Sequence, residues 1–126
     1  MKTAYVAGPI MGNMKNPTAY DIKKNVNTAE EIAAELWQMG YSVVCPHKNT
    51  EGFVGLVPRE QFLEGDLELI RRGAFDVLVM MPGWNNSPGA ILERQVAIEK
   101  NIDVFYWPEE RCELWVFINW KQKGRD

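Results

Sequence analysis

Four short apolar runs, at residues 2–7, 41–45, 75–81 and 102–107, are separated by stretches whose apolar positions recur at helical spacing. The runs are continuous in polarity. A strand with water on one face alternates apolar and polar residues, whereas a strand covered on both faces does not. The order β-α-β-α-β-α-β-α therefore predicts an α/β fold: an open parallel sheet with helices on both faces, flavodoxin- or Rossmann-like. With 126 residues and neither a repeat nor a linker-like stretch, a single domain over residues 1–126 is expected.

The helical segments carry their own boundary signals. From about Pro17 to Met39 the residues Ile22, Val26, Ala29, Ile32, Ala33, Leu36 and Trp37 form one apolar face, and Gly40 suits the C-cap. Residues 47–57 read as a polar, glycine-containing loop. Pro58 opens a helix running to about Arg72, with the stripe Phe62, Leu63, Leu67 and Ile70 and with Gly73 as its stop. Ser87-Pro88 starts a third helix, ending near Lys100, because serine supplies a cap oxygen and proline suits the first helical position. Beyond Pro108 the residues Leu114, Trp115, Phe117, Ile118 and Trp120 are too apolar for a free surface helix, and belong either to the core or to a subunit interface.

Composition narrows the function. A formal net charge of −3 supplies no basic field for nucleic acid. No apolar run approaches membrane-spanning length, and the N-terminus is too short and polar for a signal peptide, so a cytoplasmic protein is expected. Two cysteines and one histidine, without ligand spacing, predict no metal site. The loop after the first strand, residues 8–12, lacks both G-x-G-x-x-G and a P-loop lysine, so no cofactor is expected.

In open parallel sheets ligands bind beyond the carboxyl ends of the strands. Here those ends are Gly8-Pro9-Ile10, Pro46-His47 and the segment from Gly83 to Ser87. The helix start at Ser87-Pro88-Gly89 offers amides and a dipole that favour an anion. One turn further in stands Glu93, with small residues, Gly89 and Ala97, four positions to either side. That spacing predicts a bare helix face around a carboxylate, although the dipole alone also favours an early glutamate. Asp66 falls on the apolar stripe of its own helix, where a carboxylate either meets a partner such as Arg71 or faces the strand ends. In the second case Asp66 and Glu93 form a pair suited to glycosidic-bond chemistry. His47 lies in the polar loop, either exposed or near the ligand; Tyr5 packs in the core or reaches the ligand; Trp84 stacks on a base or caps its loop.

Taken in order, Tyr5-Val6-Ala7-Gly8-Pro9-Ile10-x-Gly12, then Asp66-Leu67, then Ser87-x-Gly89-Ala90-x-x-Glu93 with Ala97 resembles the nucleoside 2-deoxyribosyltransferase-like superfamily. The spacing is most similar to its 2′-deoxynucleoside 5′-phosphate N-hydrolase branch and to short phage and bacterial members. The resemblance implies Glu93 as the nucleophile on C1′ of the deoxyribose and Asp66 as the acid assisting base departure. It implies Ser87 and Gly89 as holders of a 5′-phosphate, and Gly8, Ile10, Tyr5 and His47 as further ligand contacts. It also implies a homodimer or larger homo-oligomer. Three features depart from the pattern: Met11 stands where the hydrolase branch has an arginine, Arg94-Gln95 follows the nucleophile, and residues 48–57 form an insertion. Lys15 or Asn13 are candidates to replace the missing arginine. The expected function is an N-glycosidase cleaving the base–deoxyribose bond of a deoxynucleoside or its 5′-monophosphate. A base-exchanging transferase, a non-catalytic nucleotide-binding module and a ligand-free interaction protein are the alternatives.

Overall fold

The computed structural model describes residues 1–9 and 18–119. Ile10, Met11, Gly12, Asn13 and Lys15, and Trp120 with the charged tail, lie outside the described residues. Four parallel strands, β1 (Thr3–Ala7), β2 (Ser42–Val44), β3 (Val77–Met80) and β4 (Asp103–Tyr106), form one sheet in the order β2-β1-β3-β4. The described helices are α1 (Ala19–Met39), α2 (Pro46–Thr50), α3 (Arg59–Arg71), α4 (Pro88–Glu99) and α5 (Arg111–Ile118). None is long and apolar enough to cross a membrane.

Alternate residues of each strand serve different layers, as the period of two requires. Ala4, Val6, Val77 and Val79 pack with Ala29, Ile32 and Leu36 of α1 and with Leu114 of α5. Tyr5, Ala7, Leu78 and Met80 face the other way, against Leu67 and Ile70 of α3 and Ala90, Val96 and Ala97 of α4. Both faces are therefore covered, which explains why the strand runs do not alternate. Removing one fully buried side chain such as Ile70, to alanine, is expected to cost about 2–5 kcal/mol.

Several boundaries differ from the sequence expectation for identifiable reasons. Helix α1 begins at Ala19, where Thr18 and Asp21 form a reciprocal capping box. Its far end stops at Gly40, whose φ of 111° suits glycine. Residues 47–57 are loop only in part: Pro46 starts the short helix α2, a 3-10 turn, Glu51–Phe53, follows, and residues 54–57 remain a turn. The Thr50 hydroxyl donates to the Pro46 carbonyl at 3.0 Å, and Lys48 pairs with Glu30 and Glu51, so the polar residues close the turn on itself. Helix α5 packs on its own domain through Leu114, and the Tyr41 hydroxyl donates to the Leu114 carbonyl at 2.6 Å. Trp115 and Val116 remain on its outer side.

The chain leaves β1 for β2 on one side of the sheet and returns for β3 on the other. The β1–β3 boundary is thus the switch point at which a crevice opens beyond the strand ends.

Candidate active site

Helices α3 and α4 share one sheet face and border a cleft of ≈ 330 Å³ that Gly8, at the end of β1, also lines. Arg59, Leu63 and Asp66 follow one another at i, i+4 and i+7 on α3, while Gly89 and Glu93 are one turn apart on α4. Both carboxylates anticipated from the sequence line this cleft.

Glu93 is 6% exposed and accepts a hydrogen bond from the Tyr5 hydroxyl. Tyr5 points from β1 into the α3/α4 layer, wholly buried, with its ring edge-on to Phe75 at 5.2 Å. Burial pushes the Glu93 carboxyl up to about 8; the Tyr5 hydrogen bond opposes that rise, and the charge of Asp66 adds to it. Burial, together with the negative charges of Glu93 and Asp66, holds the Tyr5 phenol well above its usual range, so it stays a donor. Asp66 is half-buried and makes no hydrogen bond or ion pair among the described residues; its expected partner Arg71 is not engaged with it. Loss of water raises its carboxyl to about 6.

Ser87 caps α4 as expected, its Oγ accepting from the Ala90 amide at 3.3 Å. Pro88 has no N–H and the Ile91 amide bonds the Ser87 carbonyl. The Gly89 amide is therefore the first-turn donor without an intrahelical acceptor. A Cβ at Gly89 would lie 3.5 Å from Leu63 Cδ1, an ordinary contact, so packing alone does not demand glycine there. At Gly8 it does: a Cβ would fall 2.6 Å from Met81 Cβ and Sδ. Ala97, expected to help bare the face around Glu93, is instead fully buried in the core. It sits one turn beyond Glu93 and does not line the cleft.

His47 is neither exposed nor a cleft-lining residue. It is 2% exposed, and its Nε2–H donates to the Pro9 carbonyl at 2.9 Å. A carbonyl only accepts, so the proton is assigned to Nε2. Nδ1 is left without a partner among the described residues. Burial lowers the imidazole below its usual range, keeping it neutral, and the ring braces the chain as it leaves β1. Tyr5 likewise meets the cleft only through Glu93. Arg94 is held elsewhere: its guanidinium lies over the Trp84 ring at 5.2 Å, and its Nε–H donates to the Tyr106 hydroxyl at 2.7 Å. This cluster ties the 3-10 turn Trp84–Asn86 to β4 and α4.

The cleft also contains residues that sequence reasoning passed over: Val54, Arg59, Glu60, Phe62 and Leu63. The helical spacing back from Asp66 would have picked out Arg59 and Leu63; Val54 had no such signal, since it falls in a stretch read as loop. Among the described residues no three His, Cys, Asp or Glu side chains converge as metal ligands.

A family model matches residues 2–106, from the start of β1 to the end of β4, and so spans every residue of the cleft. The chain belongs to the DUF4406 family, described as a domain of unknown function. No curated protein matches it. The matched span leaves out α5 and takes in the sheet and helices α1 to α4, of which α3 and α4 line the cleft.

Proposed function

We propose that this DUF4406 protein is an N-glycosidase of the nucleoside 2-deoxyribosyltransferase-like kind, acting on a deoxynucleoside or its 5′-monophosphate. The observation that carries this reading is the buried Glu93 held by Tyr5, sharing one cleft with the half-buried Asp66. In the first step a Glu93 carboxylate oxygen attacks C1′. The C1′–N bond breaks, its electron pair leaves with the base, and Asp66 supplies the proton the base needs. In the second step water attacks C1′ of the sugar–Glu93 ester; Asp66 takes the water's proton and Glu93 leaves as carboxylate. A second base in place of water would make the same site a transferase.

Burial raises both carboxyls, Asp66 to about 6 and Glu93 to about 8, so between those values the pair holds one proton. The reactive arrangement has Glu93 ionised and Asp66 protonated, and the Tyr5 hydroxyl favours it by stabilising the Glu93 carboxylate. Burial, which opposes ionisation of Glu93, favours the second reading, a nucleotide-binding module without turnover.

The test is base release. Deoxynucleosides and their 5′-monophosphates are incubated with wild type and with a folded Glu93→Gln variant, and free base is measured by chromatography. Release by wild type alone supports the glycosidase. Nucleotide binding without release from any compound would replace it by the binding module. A homodimer or larger assembly belongs to the same reading; Ile91, Leu92 and Ile98 on the outer side of α4 are 40%, 41% and 50% exposed and offer an apolar face. A cytoplasmic setting suits a nucleotide substrate.

A further inference from the structure

Phe62 falls on the apolar stripe of α3 without joining the core. Leu67 and Ile70 of that stripe are buried against the sheet, and Leu63 packs beside them. Phe62 belongs to neither hydrophobic layer; it is half-buried and lines the cleft. Among the described residues it pairs with no other ring, whereas Tyr5 meets Phe75, Trp84 meets Tyr106 and Phe105 meets Phe117. It is also the one aromatic side chain among the described residues that line the cleft. Val54, likewise half-buried and outside both layers, reaches the cleft from the turn before α3. Together they make an apolar wall that the protein itself leaves open, and that a ligand can take out of water.

What covers that wall follows from the two carboxylates. Phe62 and Asp66 are four residues apart on α3 and so share one face, about 6 Å apart along the axis at 1.5 Å per residue. Buried Glu93 reaches the same cleft from α4. A glycosidic bond broken between the two carboxylates has its sugar carbon at Glu93 and its base at Asp66. The base then lies along α3, and the side chain one turn earlier on that face is Phe62. A nucleobase is planar and aromatic; its rim needs hydrogen bonds, but its faces need only apolar or aromatic surface. Trp84, the sequence candidate for base stacking, is engaged by Arg94 and Tyr106 and does not line the cleft.

We propose that Phe62 is the base-binding residue of this cleft: the nucleobase stacks on its ring, with Val54 extending the apolar wall, and is thereby held beside Asp66. The assignment rests on the nucleoside reading of the cleft but not on turnover. Binding of deoxyadenosine, thymidine and their 5′-monophosphates is measured by calorimetry on wild type, Phe62→Ala, Phe62→Leu and Phe62→Tyr. Base release is followed separately with the same compounds. For whichever compounds wild type binds, Phe62→Ala is expected to weaken binding on the order of 5- to 100-fold, the range for losing one base–aromatic stack. Phe62→Tyr keeps the ring and should bind as wild type does; Phe62→Leu keeps apolar bulk without a π face and should fall between tyrosine and alanine. Phe62→Trp gives a spectroscopic sign, since a base stacked on the added indole quenches it, and ligand should lower its emission more than it lowers that of wild type. Unchanged binding in Phe62→Ala, wild-type binding in Phe62→Leu, or no added quenching in Phe62→Trp overturns the proposal. Should Phe62→Ala not fold, the leucine and tyrosine variants decide. Phe62-dependent binding without base release refutes the glycosidase and leaves the Phe62 assignment standing; base release indifferent to Phe62 does the reverse. If none of the compounds binds, both fall.

Discussion

Replacing Glu93 by glutamine removes a buried titrating group while keeping its shape and an oxygen to accept from Tyr5. The consequence for stability has a definite sign. The carboxyl titrates near 4.5 when unfolded and at about 8 in the folded protein. Between those values the native state holds a proton that the unfolded state has lost, so stability falls as pH rises through that window and levels off above it. At about 1.4 kcal/mol per pH unit the whole shift amounts to about 5 kcal/mol. Glu93 borders an open cleft, and water entering it on ionisation reduces this, so about 2–5 kcal/mol is expected. Tyr5 stays neutral throughout, because its phenol is held far higher. Asp66 is present in both proteins and largely cancels in the comparison. The assay is urea unfolding of wild type and Glu93→Gln from pH 5 to pH 9. The variant's stability relative to wild type should grow with pH, most steeply below about pH 8. Parallel curves across the whole range would refute the claim that Glu93 is buried and protonated in the free protein.

Three further outcomes follow from the same geometry. The pH dependence of kcat/KM should be bell-shaped, with limbs near 6 and 8, because only the singly protonated carboxyl pair reacts; a steady rise through pH 9 would contradict that pairing. Tyr5→Phe removes the donor that favours the Glu93 carboxylate, so the peak rate should drop on the order of tenfold and the alkaline limb move up; an unshifted limb would show that the hydroxyl does not act through Glu93. Gly8→Ala drives a methyl into Met81 and should cost about 1–3 kcal/mol in thermal or urea unfolding. A double-mutant cycle with Met81→Ala should recover only part of that cost, since Met81 Cβ itself lies 2.6 Å from the added carbon.

How far the sequence reached depends on whether a signal is local. The start of α4 was legible because Ser87 and Pro88 act on the next three residues and on little else. Asp66 was legible through helical phase, and the switch point of the sheet brought it beside Glu93 without any pattern linking residues so far apart. Helix α2 carried the same proline signal as α4, at Pro46, yet its polar residues and Gly52 disguised five helical residues as loop. The burial of His47 was not readable: it depends on the Pro9 carbonyl, brought near only when β1 and β2 pair. Ala97 misled because smallness marks a close helix–sheet contact as readily as an empty face. Arg94, whose charge beside Glu93 looked like a departure in the site, is absorbed by Trp84 and Tyr106, a contact made across the turn and β4.

The most direct test of the account is to look for the sugar on Glu93. The protein is mixed with a deoxynucleoside 5′-monophosphate or deoxynucleoside that it cleaves, or with a 2-fluoro analogue that slows the second step. The sample is acid-quenched in the steady state, digested, and read by mass spectrometry. The account predicts a mass increase equal to the sugar, on the peptide containing Glu93 and absent from Glu93→Gln. Base release with the sugar on another residue, or with none on the protein even for the slowed analogue, would contradict Glu93 as the nucleophile.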